Sequence, residues 1–108
     1  MSELICHLFG DYVFQNQWMA DNKTRSWRVA AVHALVYSLM FLVLCPSLPA
    51  WLVIFGSHMV IDRFRLAGYW CRWYGIGRGV PDWLQVWLVI IVDNAWHLAI
   101  NHLSLMYL

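Results

Sequence analysis

An all-α, membrane-embedded bundle of four helices is the architecture this sequence predicts, on three grounds. The chain is 62% apolar and only 12% charged, with eight tryptophans in 108 residues, whereas soluble domains average about 25% charged residues. Four apolar segments are separated by composition breaks. All seven basic residues gather at two of those breaks. The length leaves room for a single domain, residues 1–108, and no second one.

The first segment runs from about Leu4 to Ala20, and the polar, basic stretch DNKTRSWR ends it. The second, Arg28 to Cys45, stops at CPSLPA, where Pro46 and Pro49 forbid a continuous helix and nothing is charged. The third, Ala50 to Leu66, gives way to RFRLAGYWCRWYGIGRGVPDW, a longer interfacial stretch of arginines, aromatics and glycines. The fourth runs from Asp82 to Tyr107. A span needs about 20 residues, with a range of roughly 17 to 25, so the first and third helices are short.

Orientation follows from the cations. Lys23, Arg25, Arg28, Arg63, Arg65, Arg72 and Arg78 fall at the first and third connections, and the positive-inside rule places both in the cytoplasm, with both termini on the outer side. Trp18, Trp27, Trp70, Trp73 and Trp83 cluster near the same connections and Trp51 marks the other surface, as an aromatic belt requires. The expected location is a membrane crossed several times. MSEL has no basic n-region, so no cleavable signal peptide is expected.

Function classes narrow accordingly. Seven basic residues balanced by six acids and divided between two membrane-proximal loops form no nucleic-acid groove. GIGRG follows no strand and is no nucleotide-binding loop. Cys6, Cys45 and Cys71 are odd in number with no CxxC spacing, so they suggest neither a disulfide framework nor a thiolate metal site.

The chemistry lies in three aspartates set in apolar stretches, each four residues from a histidine: His7 and Asp11, His58 and Asp62, Asp93 and His97. That spacing stacks both side chains on one helix face. Random placement gives roughly half such a pair in a chain of this composition. An ionised aspartate at the centre of a spanning helix costs about 2.5–3.5 kcal/mol, and no basic residue reads as deep enough to neutralise Asp11 or Asp93. Protonation or a bound cation is therefore required.

His33 joins the set from the second helix. Counting about 1.5 Å per residue, Asp11, His33, His58, Asp62 and Asp93 lie roughly 8–15 Å from the cytoplasmic ends, with His7 and His97 slightly deeper. Gln15, four after Asp11, and Asn101, four after His97, extend the polar stripes and read as supporting residues around the ligands. Imidazole with carboxylate suits Zn²⁺, or else Mn²⁺ or Fe. Four histidines and three aspartates exceed what one tetrahedral ion needs, so one or two ions fit. His102 is unpaired and reads as a packing residue, and a hydrogen-bond network without metal is the bland alternative for the pairs.

HLFGDYVFQNQWMA, VHALVY, SHMVIDRFR and VDNAWHL resemble, in order, the motifs of a small membrane protein family called domain of unknown function 3307, found in phages and bacteria. The resemblance covers nearly the whole chain and falls on His7, Gly10, Asp11, Tyr12, Gln15, His33, His58, Asp62, Arg63, Asp93 and His97. Asn94 stands where the family usually has glutamine. A looser similarity is to inner-membrane metal-dependent hydrolases.

The function expected from these residues is a membrane-embedded metal-dependent hydrolase acting on a lipid or lipid-linked substrate. Metal-bound water would be the nucleophile, and one of Asp11, Asp62 and Asp93 the general base. Arg63, Arg72 and Arg78 are candidate phosphate or headgroup contacts, and Gly75, Gly77 and Gly79 would let their loop move as a lid. Membrane lipid is the expected partner, with a homo-oligomer as a further possibility. Two alternatives remain: an intramembrane proton or ion relay, and a non-catalytic phage effector whose metal only holds the bundle together.

Overall fold

The computed structural model describes residues 2–108, and all its regular structure is helical, with no strand among the described residues. Six α-helices are present: α1 (Ser2–Leu8), α2 (Gln17–Asn22), α3 (Trp27–Leu39), α4 (Leu48–Phe64), α5 (Leu66–Tyr74) and α6 (Asp82–Tyr107). A π-helical segment, Phe9–Val13, extends α1, and a 3₁₀ segment, Met40–Leu44, extends α3.

The first apolar segment differs from the single helix expected. It breaks at residues 14–16, and a new helix starts where the Asn16 side chain accepts a hydrogen bond from the Met19 amide at 2.9 Å. Asparagine at an N-cap satisfies an orphan donor and stabilises a chain reversal that an uninterrupted apolar run would not make. The interfacial stretch also proves helical. In α5, Ala67 and Cys71 are buried, and Trp70 meets Trp96 of α6 edge to face at 5.3 Å.

Pro46 and its surroundings act as expected. Cys45 ends the 3₁₀ segment in the left-handed region (φ 50°), and Ser47 caps α4 by accepting from the Ala50 amide at 3.2 Å. Arg65 is the other non-glycine residue with positive φ, at 54°, and forms the whole joint between α4 and α5. A side chain in this conformation costs roughly 1–2 kcal/mol. The glycine loop is equally constrained: Gly77 has φ 77°, and a Cβ there would overlap the Gln85 amide.

Helix α4 packs between α3 and α6, α1 lies against α6 and the end of α3, and α2 folds back on α3. The interior is unusually polar: His7, His33 and His58 are fully buried, and His97, Asn101, Asp11 and Asp62 nearly so. Apolar side chains face outward on every helix, including Ile5, Trp18, Leu35, Val53, Trp73 and Ile91. A small apolar cluster of Cys6, Tyr37, Phe41 and Ile54 closes one end.

Two helical stretches are long and apolar enough to cross a membrane: Trp27–Leu44 and Asp82–Tyr107, the latter burying only His97, Asn101 and Ser104. Their lengths are about 30 and 39 Å, against a hydrocarbon thickness of about 30 Å. Ser2–Val13 and α4 are shorter, at about 18 and 26 Å.

Gly10 fixes how closely the first helix approaches α3. A Cβ there would lie 2.8 Å from Tyr37 Cδ2 and 3.1 Å from Tyr37 Cα. Alanine would gain up to about 1 kcal/mol of helix propensity, but the fully buried Tyr37 ring has no room to move, and overpacking costs about 1–3 kcal/mol. Gly10→Ala is therefore expected to lower the thermal midpoint in detergent. An unchanged or higher midpoint would show that the helices separate freely.

Candidate metal centre

Four ligand atoms converge where the π-helical segment, α3 and α4 meet: Asp11 Oδ1, His33 Nε2, His58 Nε2 and Asp62 Oδ2. His33 Nε2 lies 3.3 Å from Asp11 and 3.2 Å from Asp62. His58 Nε2 lies 3.2 Å from Asp62, 3.8 Å from Asp11 and 2.8 Å from His33 Nε2. Bonds of 2.0–2.2 Å to a tetrahedral ion put ligand atoms about 3.3–3.6 Å apart. The observed separations straddle that range, so the donors fit one small divalent cation with little rearrangement.

Asp62 also serves a second group. Its other oxygen, Oδ1, lies 3.3 Å from His97 Nε2, which is 3.5 Å from Asp93 Oδ1. One carboxylate thus faces Asp11, His33 and His58 with one oxygen, and Asp93 and His97 with the other. The four-residue spacing on α4 and α6 produces both arrangements. The three histidines turn Nε2 inward, and their Nδ1 atoms are buried with no hydrogen-bond partner among the described residues.

A cation already reaches the cluster. Lys23 Nζ lies 3.0 Å from Asp62 Oδ2 and 4.0 Å from Asp11 Oδ1. This corrects the expectation that no basic residue could reach Asp11: the break at residues 14–16 folds α2 back and carries Lys23 inward. Burial works against the ammonium, but the Asp62 and Asp11 carboxylates outweigh it and hold its pKa above the ordinary lysine value. Lys23 offsets one of three carboxylate charges. The remaining two match one divalent ion, or two protonated imidazoles.

His7, expected among the ligands, stands apart, with both ring nitrogens committed. Nδ1 pairs with the Tyr37 hydroxyl at 2.6 Å and Nε2 with Asn94 Oδ1 at 2.8 Å. Asn101 Nδ2 donates to the Tyr37 oxygen at 2.7 Å. The Tyr37 hydroxyl therefore donates a hydrogen bond to His7 Nδ1, His7 Nε2–H donates to Asn94 Oδ1, and Asn94 Nδ2 donates to Tyr12 at 2.8 Å. The Tyr37 ring also stacks on His58, with centroids 3.7 Å apart and planes 10° apart, fixing that imidazole. Asn94 and Asn101 thus support the cluster through Tyr37 and His7.

Gln15 lines a cavity of about 400 Å³ beside the cluster, together with Asp11, Asp62, Asp93, Lys23, Arg65 and apolar residues including Val89 and Ile90. Asp93 has the most accessible carboxylate, 26% exposed against 6% for Asp11 and 3% for Asp62. Arg63 and Arg72 border a neighbouring cavity, and Arg78 lies farther out near Gly75. His102 is not unpaired: Nδ1 meets Glu3 Oε1 at 2.5 Å.

Tyr37 was not expected at the site, Lys23 and Arg65 were read only as cations of the connections, and Tyr12 only as part of the family motif. Tyr37 carried a usable signal, four residues after His33 on the same face. Lys23 carried none, because its position depends on the chain reversal.

One family model, described as "Protein of unknown function (DUF3307)", matches residues 1–108. No curated protein and no solved structure matches the chain.

Removing one partner of a buried ion pair costs about 3–5 kcal/mol. Lys23→Met is therefore expected to destabilise metal-free protein strongly and to be rescued by added Zn²⁺, which supplies the missing charge. Thermal unfolding in chelator and in Zn²⁺ reads this directly. Equal midpoints for variant and wild type in chelator would mean that Lys23 is not the counter-charge.

Proposed function

We propose that this chain, which belongs to the DUF3307 family along its whole length, is a membrane-embedded hydrolase built around one divalent metal ion, with Zn²⁺ the ion that its imidazole and carboxylate donors suit best. Asp11, His33, His58 and Asp62 would hold the ion. The observation that carries this reading is the convergence of two imidazole nitrogens and two carboxylate oxygens at tetrahedral spacing in a buried site. Charge balance supports a single resident ion, because Lys23 leaves two negative charges to neutralise. Asp93 and His97, joined to the site through Asp62, would hold a second ion only at the expense of that balance.

The polar interior and apolar exterior support four segments packed in lipid, the first and third short, with the Lys23 and Arg63 ends toward the cytoplasm. Paired or metal-bound, the buried charges are tolerable there. A divalent ion held by Asp11, His33, His58 and Asp62 would supply a water of lowered pKa, that water joining the four protein donors as a further ligand, and would polarise a phosphoryl or acyl oxygen. Asp93 is the general base, since its carboxylate is the most open to the 400 Å³ cavity and His97 holds it in place. Lys23 stands where it can meet the developing negative charge. Apolar Val89, Ile90 and Ile61 in the same wall suit a lipid or lipid-linked substrate.

A relay across the membrane finds less support. The hydrogen-bonded chain from Asn101 to Tyr12 opens toward the cavity, but Phe41 and Ile54 close the other end of the interior.

The test is hydrolysis of a panel of phospho- and acyl-ester lipids in mixed micelles by wild type, by chelated protein and by Asp93→Asn. The expected result is metal-dependent turnover, with Asp93→Asn retaining the metal and losing about 10²–10⁴-fold in kcat. Full activity in chelator, or in folded Asp93→Asn, would overturn the proposal. Stoichiometric metal with no turnover on any ester would instead favour a structural ion.

A further inference from the structure

Of the lysine and arginine side chains, Lys23 alone lies within ion-pair distance of a carboxylate among the described residues. The arginines are arranged differently. Arg63, Arg65 and Arg72 border one cavity of about 510 Å³, completed by Thr24, Phe64, Gly68 and Tyr69, with no acidic residue in its lining. Three guanidinium groups repel one another, so a fold that gathers them without an acid leaves a cavity of positive potential.

The groups are also held. Arg63 Nη1 donates to the Thr24 carbonyl at 2.9 Å, and Arg65 Nη2 donates to Thr24 Oγ1 at 3.1 Å. Arg72 lies over the Tyr69 ring at 4.5 Å. Each arginine keeps further N–H groups, and Arg63 Nε is buried without a partner. The left-handed Arg65 residue makes the joint that turns α5 so that Arg72 faces the same cavity as Arg63. Guanidinium forks held this way match the paired oxygens of a phosphate.

This cavity adjoins the metal centre. Thr24, Arg65 and Gly68 belong to both it and the 400 Å³ cavity lined by Asp11, Asp62 and Asp93. The sequence itself forms the junction, since Lys23 and Asp62 face the cluster while their neighbours Thr24 and Arg63 face the arginine cavity. At Gly68 an added Cβ would meet nothing within 4 Å, so the glycine leaves the passage open without being required by packing.

We infer that Arg63, Arg65 and Arg72 form a binding site for a phosphate group, which anchors the substrate while its reacting bond extends past Gly68 to the metal centre. The inference rests on the hydrolase reading for the second half of that statement; the anion site itself stands on the cavity. It narrows the substrate class to phosphate-bearing amphiphiles. The phosphate could belong to a lipid headgroup or be free in solution, and the chemistry of recognition is the same.

Binding of short-chain phosphatidic acid, inorganic phosphate and the phosphate-free short-chain diacylglycerol to detergent-purified protein, measured by titration calorimetry with metal content determined on each sample, tests this. Phosphatidic acid should bind saturably and diacylglycerol should not. Arg65→Gln and Arg72→Gln should each weaken binding at least tenfold with metal content unchanged. Gly68→Leu, which places a side chain in the passage from a Cβ position with nothing within 4 Å, should leave inorganic phosphate binding intact while weakening phosphatidic acid. Inorganic phosphate binding as tightly as phosphatidic acid would support the site and assign it to the free anion. No saturable binding of either, or equal binding by wild type and folded arginine variants, would overturn it. Tight phosphate binding by protein that holds no metal would keep the anion site and remove the hydrolase reading instead.

Discussion

The Asp62 carboxylate is the interaction on which the rest of the structure depends. His33, His58 and His97 turn their Nε2 atoms toward it within 3.3 Å, and Lys23 reaches it at 3.0 Å. A carboxylate so deeply buried is tolerable only if its surroundings supply compensating charge. That demand dictates why α3, α4 and α6 present histidines to one point, why α2 folds back, and why the first helix must come close enough for Asp11 to share the load. The close approach at Gly10 and the stacking of Tyr37 on His58 are the packing consequences.

Imidazole, carboxylate and amide groups share the interior with buried apolar residues that are in good part small, such as Ala30, Ala34, Ala50 and Ala67, and most large apolar side chains lie outside. In water this inversion would forfeit the main driving force for folding. In lipid it becomes sensible, because there polar groups are the ones that gain from being enclosed. The same inversion concentrates chemistry in the middle of the molecule and opens it through the 400 Å³ cavity beside the basic connections. The proposed catalytic and phosphate-binding roles share that geometry.

Much of this was legible before any coordinates. The all-helical class followed from composition and from the breaks at CPSLPA and DNKTRSWR. The pairing of His58 with Asp62 and Asp93 with His97 followed from helical spacing, and His33 from its place in the second segment. The remainder was not legible for physical reasons. Gln15 reads as the continuation of a polar stripe on one helix, yet the neighbouring Asn16 caps a new helix, and the reversal sends Lys23 inward. His7 has the same four-residue relation to its aspartate as the others, but the π-helical segment intervenes and a tyrosine thirty residues away takes its nitrogen. Arg65 drew no notice because nothing in its residue type announces a left-handed joint.

The central claim is that this polar interior exists to hold a divalent cation, and X-ray absorption at the zinc edge, on detergent-purified protein of known metal content, tests it most directly. The account predicts about one ion per chain, with roughly two imidazole nitrogens and two carboxylate oxygens at about 2.0–2.2 Å, plus at most one water. Protein that folds with His33, His58 and Asp62 intact yet retains no divalent ion after purification in zinc-replete buffer would contradict it. Asp62 would then be balanced by Lys23 and protonated histidines alone.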